Sequence, residues 1–343
     1  MEDVIIIGAG PCGLSAAIEC QKQGLSALII EKHNIVHSIF LYPVNMQFFS
    51  TAELLEIGDI PFPSSNEKPY RHEALVYYRR VADHYGLRIA TYEEAESIIK
   101  EQDGTFTIKT QRRFGESREL KARNVVVSSG YFDHPNMLGI PGEDSDKVTH
   151  YFREAHPYAG MEVAVIGGSN SAVDAAMELE RVGANVTVIY RGDDLSGNIK
   201  PWVRPLFDGL VNKGKIRTVT RSRVVEIQPD HVVVESLEDG SHEQLANDFV
   251  VAMTGFRPDR GLLSASGIEM SEDQDKPVFD PTTMESNVPG LYVAGVVASG
   301  RNANEVFIET GRGHGKLIAA HIAARRLEAE AVRDTAEAPY GAN

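Results

Sequence analysis

The chain is short of cysteine. Its 343 residues include two, Cys12 and Cys20, too few for a disulfide scaffold. They lie on one expected helix, about 12 Å apart along its axis, beyond the ~7 Å that a disulfide tolerates between Cα atoms. No Cys-x-x-Cys occurs, which removes the internal dithiol common in disulfide oxidoreductases. No apolar run is long enough to span a bilayer, and the histidines show no metal-ligand spacing, so no metal is expected. Positive charge is scarce as well. Lys and Arg number 34 against 49 Asp and Glu, a formal net charge of −15, which argues against nucleic acid or an anionic membrane as partner. Strand-like sequence starts almost at Met1 and leaves no room for a signal peptide, so the expected location is cytoplasmic.

Glycine, by contrast, is well represented and unevenly placed. Val4-Ile5-Ile6-Ile7 reads as a buried parallel strand. It runs into Gly8-Ala9-Gly10-Pro11-Cys12-Gly13 and then into the helix that opens Leu14-Ser15-Ala16. Such glycines let a pyrophosphate approach the backbone at a helix N-terminus. A second strand, Ala27 to Ile30, ends in Glu31 and Lys32; an acid there accepts hydrogen bonds from ribose hydroxyls. The pattern recurs at Val163 to Ile166, Gly167-Gly168-Ser169-Asn170-Ser171-Ala172 and Val186 to Ile189. The chain therefore predicts an α/β protein with two Rossmann-like dinucleotide-binding domains, one for FAD and one for NAD(P)H. Their expected limits are 1–132 with 260–330 for FAD and 133–259 for NADPH, followed by a flexible tail over 331–343.

The second copy ends in Tyr190-Arg191 where the first has its acid. A guanidinium pairs with a ribose 2′-phosphate that a carboxylate repels, so this tip favours NADPH. Two dinucleotide folds imply two cofactors, and a flavin is the natural acceptor of a nicotinamide's hydride. The strand Asn124 to Ser129, ending at Gly130, and the strand before Gly295 supply further glycine turns. Backbone N–H groups at Gly295 and in the helix after it are expected to face the flavin. That last helix is expected from about Ile308 to Leu327, interrupted by Gly311, Gly313 and Gly315. Gln47, Asn304 and Glu305 are further candidates beside the flavin ring. Lys200 and Arg204 are candidate charges for the NADPH phosphate or an anionic substrate, and His150 and His156 read as interdomain packing.

Cys12 carries two readings. The partial positive charge of a helix N-terminus stabilises a thiolate, which makes it a redox nucleophile. The turn also tolerates any small residue, which makes it packing.

In this order of motifs the chain resembles the two-dinucleotide flavoproteins of the thioredoxin reductase type over nearly its whole length. The resemblance rests on Gly8 to Gly13 with Glu31, Ser128-Ser129-Gly130, Gly167 to Ala172, Met253-Thr254-Gly255 and Tyr292-Val293-Ala294-Gly295. Within that group it looks most like the bacillithiol disulfide reductase branch, through Ala74-Leu75-Val76-Tyr77-Tyr78-Arg79, His150 to Tyr158 and Ile199-Lys200-Pro201-Trp202. The resemblance implies an FAD enzyme that uses NADPH to reduce a low-molecular-weight thiol disulfide, with the redox role on Cys12 and a homo-oligomeric assembly. Val296 stands where the wider group commonly has an aspartate. Ferredoxin or flavodoxin NADP reductases and flavin monooxygenases share the fold, and a nucleotide-binding redox sensor is the non-enzymatic alternative.

Overall fold

In the computed structural model the described residues are 1–272, 275–300 and 305–337. The chain divides into two compact units: Met1–Phe40, Gln47–His134 and Arg257–Asn343 form unit 1, and Leu41–Met46 with Pro135–Phe256 forms unit 2.

Unit 1 opens with β1 (Glu2–Ile7), α1 (Pro11–Lys22) and β2 (Ala27–Glu31). Val4, Ile5 and Ile6 are all fully buried, because a parallel strand covered on both faces has no solvent side to alternate toward. Short helices α2 (His37–Leu41) and α3 (Ala52–Leu55) precede α4 (Arg71–Tyr85). Gly86 stops α4 in the left-handed region, at φ 58°. β3 (Ile89–Thr91) pairs in parallel with β2, while β4 (Glu93–Lys100), β5 (Phe106–Arg112) and β6 (Arg118–Val127) form an antiparallel run.

Unit 2 contains β7 (Val148–Thr149), β8 (Glu162–Ile166), α5 (Asn170–Arg181), β9 (Asn185–Ile189), α6 (Arg204–Asn212) and β10 (Ile216–Val219). β11 (Ser222–Ile227), β12 (His231–Ser236), β13 (His242–Ala246) and β14 (Phe249–Ala252) follow. The parallel sheet has the order β10-β9-β8-β14-β7, and β11 to β13 make a separate antiparallel sheet. Side chains on β8 alternate between two cores. Val163 and Val165 pack with Val173 and Ala176 of α5, whereas Ala164 and Ile166 pack with Val224, Val232 and Val234 of the antiparallel sheet. Burial on both faces is why β8 reads as an unbroken apolar run.

The chain re-enters unit 1 with α7 (Gly261–Ala265) and β15 (Leu291–Val293), which pairs in parallel with β6. The unit 1 sheet thus has the order β3-β2-β1-β6-β5-β4, with β15 also on β6. The expected last helix is two helices, α8 (Ile308–Gly311) and α9 (His314–Glu337), split at the glycines. α9 continues through 331–337, a stretch expected as tail, because its Ala, Glu and Arg residues are strong helix formers. Residues 338–343 lie outside the described residues.

α1 and α9 cross at backbone distance. A Cβ on Gly315 would lie 2.6 Å from Ala16 Cα, and Ser15 Oγ donates to the Arg312 carbonyl at 2.8 Å. Gly315→Ala is therefore expected to cost about 1–3 kcal/mol through overpacking. Urea unfolding measures it, and an unchanged midpoint would mean that the crossing has slack.

Candidate functional site

The first glycine turn sits at the carboxyl end of β1, where the sheet leaves backbone groups open to a ligand. Gly8 has φ 108°, and a Cβ there would lie 2.5 Å from the Ser128 carbonyl oxygen. At Gly13 a Cβ would meet the Gly8 carbonyl oxygen at 2.0 Å and Ser128 Oγ at 2.6 Å. These two glycines serve close backbone packing. Gly10 differs: no atom lies within 4 Å of the position a Cβ would take, so the approach at the start of α1 is open. Pro11 occupies the first helical turn and removes an N–H that would have no partner there.

Glu31, at the tip of β2, is fixed by two backbone donors. Ala9 N–H donates to Oε2 at 2.8 Å and His33 N–H to Oε1 at 2.7 Å. Burial pushes its carboxyl up, and the two N–H groups oppose that shift. The carboxylate therefore ties the glycine turn to the strand tip and retains lone pairs for a ribose. Val36 N–H donates to the Ala9 carbonyl at 3.0 Å, with Val36 itself buried at φ 49°. A β-branched residue in the left-handed region is strained, and nothing in the sequence pattern marked it as part of the turn.

Cys12 falls in the first turn of α1, as the sequence predicts, but its surroundings oppose a thiolate. The residue is half-buried as a whole, yet its sulfur is enclosed by backbone. A Cβ on Gly295 would lie 2.9 Å from Sγ and one on Gly311 2.7 Å. Burial pushes the thiol up to about 12. Desolvation opposes the helix field on which the thiolate reading rested. The Gly295 N–H donates to His314 Nδ1 at 3.1 Å, a partner within the protein that the glycine pattern does not announce. The His314 ring is held neutral by burial, which lowers its affinity for a second proton.

Other expected contacts are engaged locally. Lys32 Nζ pairs with Asp133 at 2.6 Å and with Glu94 at 3.8 Å. Gln47 is exposed and donates through Nε2 to the Lys68 carbonyl. Glu305 pairs with Lys276 at 3.5 Å, and Asn304 lies outside the described residues. Gly130 adopts φ 75° with open space around it. Among the described residues no group of three metal-ligating side chains occurs.

In unit 2 the second turn sits at the end of β8. Gly167 has φ 139°, and a Cβ there would lie 2.5 Å from the Met253 carbonyl oxygen. Gly168 makes room for an aromatic ring, since a Cβ on it would meet Tyr190 at 2.5 Å. Asn170 clasps the following loop, accepting from Lys200 N–H and donating to the Asn198 carbonyl, both at 3.0 Å. Ser169 and Ser171 remain exposed at the start of α5. Arg204 is committed to Asp194 and Asp208, each at 2.8 Å. Arg191 is exposed and has no ion pair among the described residues.

Comparison with known proteins places these features in context. A family model described as pyridine nucleotide-disulphide oxidoreductase matches residues 5–295. Bacilliredoxin reductase Bdr of Bacillus subtilis is 48% identical over 326 residues, covering 94% of this chain and 98% of the relative. The solved structure of a bacillithiol disulfide reductase from Bacillus cereus is 46% identical with a TM-score of 0.92, over 94% of this chain and 99% of that one. The corresponding Staphylococcus aureus structure is 44% identical with a TM-score of 0.89, over 95% and 99%.

The enclosed sulfur makes a chemical prediction. Alkylation follows the thiolate fraction, so iodoacetamide labelling of Cys12 is expected to be slow at pH 7 and to rise about tenfold per pH unit toward pH 12. Peptide mass spectrometry reads it. Rapid labelling at pH 7 would show a thiolate already formed.

Proposed function

The chain belongs to the pyridine nucleotide-disulphide oxidoreductase family, and we propose that it is an FAD-dependent reductase that uses NADPH to reduce bacillithiol disulfide. The observation that carries this reading is a pair of glycine cradles with unlike strand tips, Glu31 in unit 1 and Arg191 in unit 2. FAD suits the first. Gly10 leaves the pyrophosphate approach open, and Glu31 is fixed by Ala9 and His33 to receive ribose hydroxyls. NADPH suits the second, where the exposed Arg191 guanidinium is available to a 2′-phosphate. When bound, these cofactors supply hydride transfer and storage of an electron pair. Unit 1 is accordingly taken as the FAD domain and unit 2 as the NADPH domain.

Cys12 is the proposed redox thiol, at the start of the helix that closes the FAD cradle. Its burial keeps the resting sulfur protonated, so formation of a mixed disulfide requires that proton to leave first. Cys20 is fully buried and is not a resolving partner. The substrate is taken as a small anionic disulfide handled in the cytoplasm by a homo-oligomer. A mixed disulfide on a bacilliredoxin is the second reading, favoured by the likeness to the bacilliredoxin reductase of Bacillus subtilis.

With FAD-loaded enzyme, steady NADPH consumption is expected on adding bacillithiol disulfide alone. Consumption that also requires a bacilliredoxin would select the second reading, and consumption with ferredoxin alone would overturn both. Cys12→Ser is expected to retain FAD and lose turnover by on the order of 100-fold or more. Unchanged turnover would leave Cys12 as a packing residue.

A further inference from the structure

Arg191 has a neighbour that the glycine-turn pattern does not reveal. β9 and β10 pair in parallel with Val219 opposite Ile189. Past the strand ends the register slips: Tyr190 N–H still donates to the Val219 carbonyl at 2.9 Å, but the Tyr190 carbonyl accepts from Ser222 N–H at 3.1 Å and Arg221 N–H donates to the Gly192 carbonyl at 2.9 Å. Arg221 is thereby tied to the loop that carries Arg191, at the carboxyl edge of the sheet, where open α/β folds bind their ligands.

The backbone at Arg221 is held in an unusual state. Its φ is 48°, in the left-handed region that non-glycine residues avoid. Its carbonyl accepts from Leu237 N–H at 2.7 Å, so both main-chain groups are pinned, one to each neighbouring loop. The guanidinium lies half exposed beside a polar cleft lined by Asp193, Thr220, Arg221, Ser222, Ser236 and Glu238. Its Nε pairs with Asp193 Oδ1 at 2.8 Å, and Nη1 pairs with Glu238. Asp193 belongs to the same short loop as Arg191.

We propose that Arg221 is a second reader of the nucleotide 2′-phosphate, forming a fork with Arg191, and that Asp193 is its resting counter-ion. This rests on the assignment of unit 2 to NADPH. Exposed carboxylate pairs such as Arg221–Asp193 hold weakly. A phosphomonoester carries more charge than a carboxylate at neutral pH and accepts a bidentate guanidinium, so it displaces the aspartate. A nucleotide without the 2′-phosphate leaves the Arg221–Asp193 pair in place. Selectivity then comes from two cations, one of which is engaged only when the phosphate arrives.

The test is isothermal titration of the FAD-loaded enzyme with 2′,5′-ADP and with 5′-AMP, which differ by that phosphate alone. Arg221→Gln is expected to weaken 2′,5′-ADP about tenfold and to leave 5′-AMP within about twofold. Arg221→Lys, which keeps the charge and loses the fork, is expected to fall between wild type and Arg221→Gln. Unchanged 2′,5′-ADP binding in both variants, or equal loss for both nucleotides, would overturn the proposal while wild-type preference for 2′,5′-ADP kept the NADPH assignment. A wild-type enzyme that binds the two alike would overturn that assignment and the proposal with it.

Discussion

Backbone-to-backbone contact around the first glycine turn is the constraint on which unit 1 depends. The Ser128 carbonyl at the end of β6, the Gly8 carbonyl and the start of α1 come so close that only hydrogen atoms fit at Gly8 and Gly13. The same crowding continues outward through Gly295 and Gly311 against the Cys12 sulfur, and through Gly315 against Ala16. Close packing of this kind transmits small changes in volume. It fixes where the open face at Gly10 and the Glu31 carboxylate stand, and it leaves Cys12 little freedom.

That packing also decides the chemistry of Cys12. A helix N-terminus lowers a thiol's pKa when the sulfur is partly exposed to an electropositive field. Here Gly295 and Gly311 crowd the sulfur, and desolvation of the anion pushes the thiol's pKa the other way. Position alone left Cys12 readable either as an activated nucleophile or as packing, and its enclosure favours the protonated thiol.

The Rossmann-like units were legible because their signals are local. An apolar β-branched run, two or three glycines and a helix lie within about 20 residues of each other, and the acid or arginine follows at the next strand end. The helix break before His314 was legible for the same reason. Contacts that join distant segments were hidden. Glycine at 168 marks a turn in the sequence but gives no sign of the Tyr190 ring that covers it, and His314 gives no sign of the Gly295 N–H that it accepts. The glycine-turn pattern likewise gives no sign that the Asn170 amide clasps Asn198 and Lys200. Arg221 was missed because it follows β10, where the dinucleotide pattern makes no demand.

The central claim is that electrons pass from NADPH through the bound flavin of this chain to a small disulfide. An anaerobic titration of the FAD-loaded enzyme, followed by flavin absorbance, tests it most directly. The account predicts that stoichiometric NADPH bleaches the flavin and that an equal amount of bacillithiol disulfide restores the oxidised spectrum. A flavin that NADPH bleaches but the disulfide leaves reduced, until oxygen or ferredoxin is added, would contradict it.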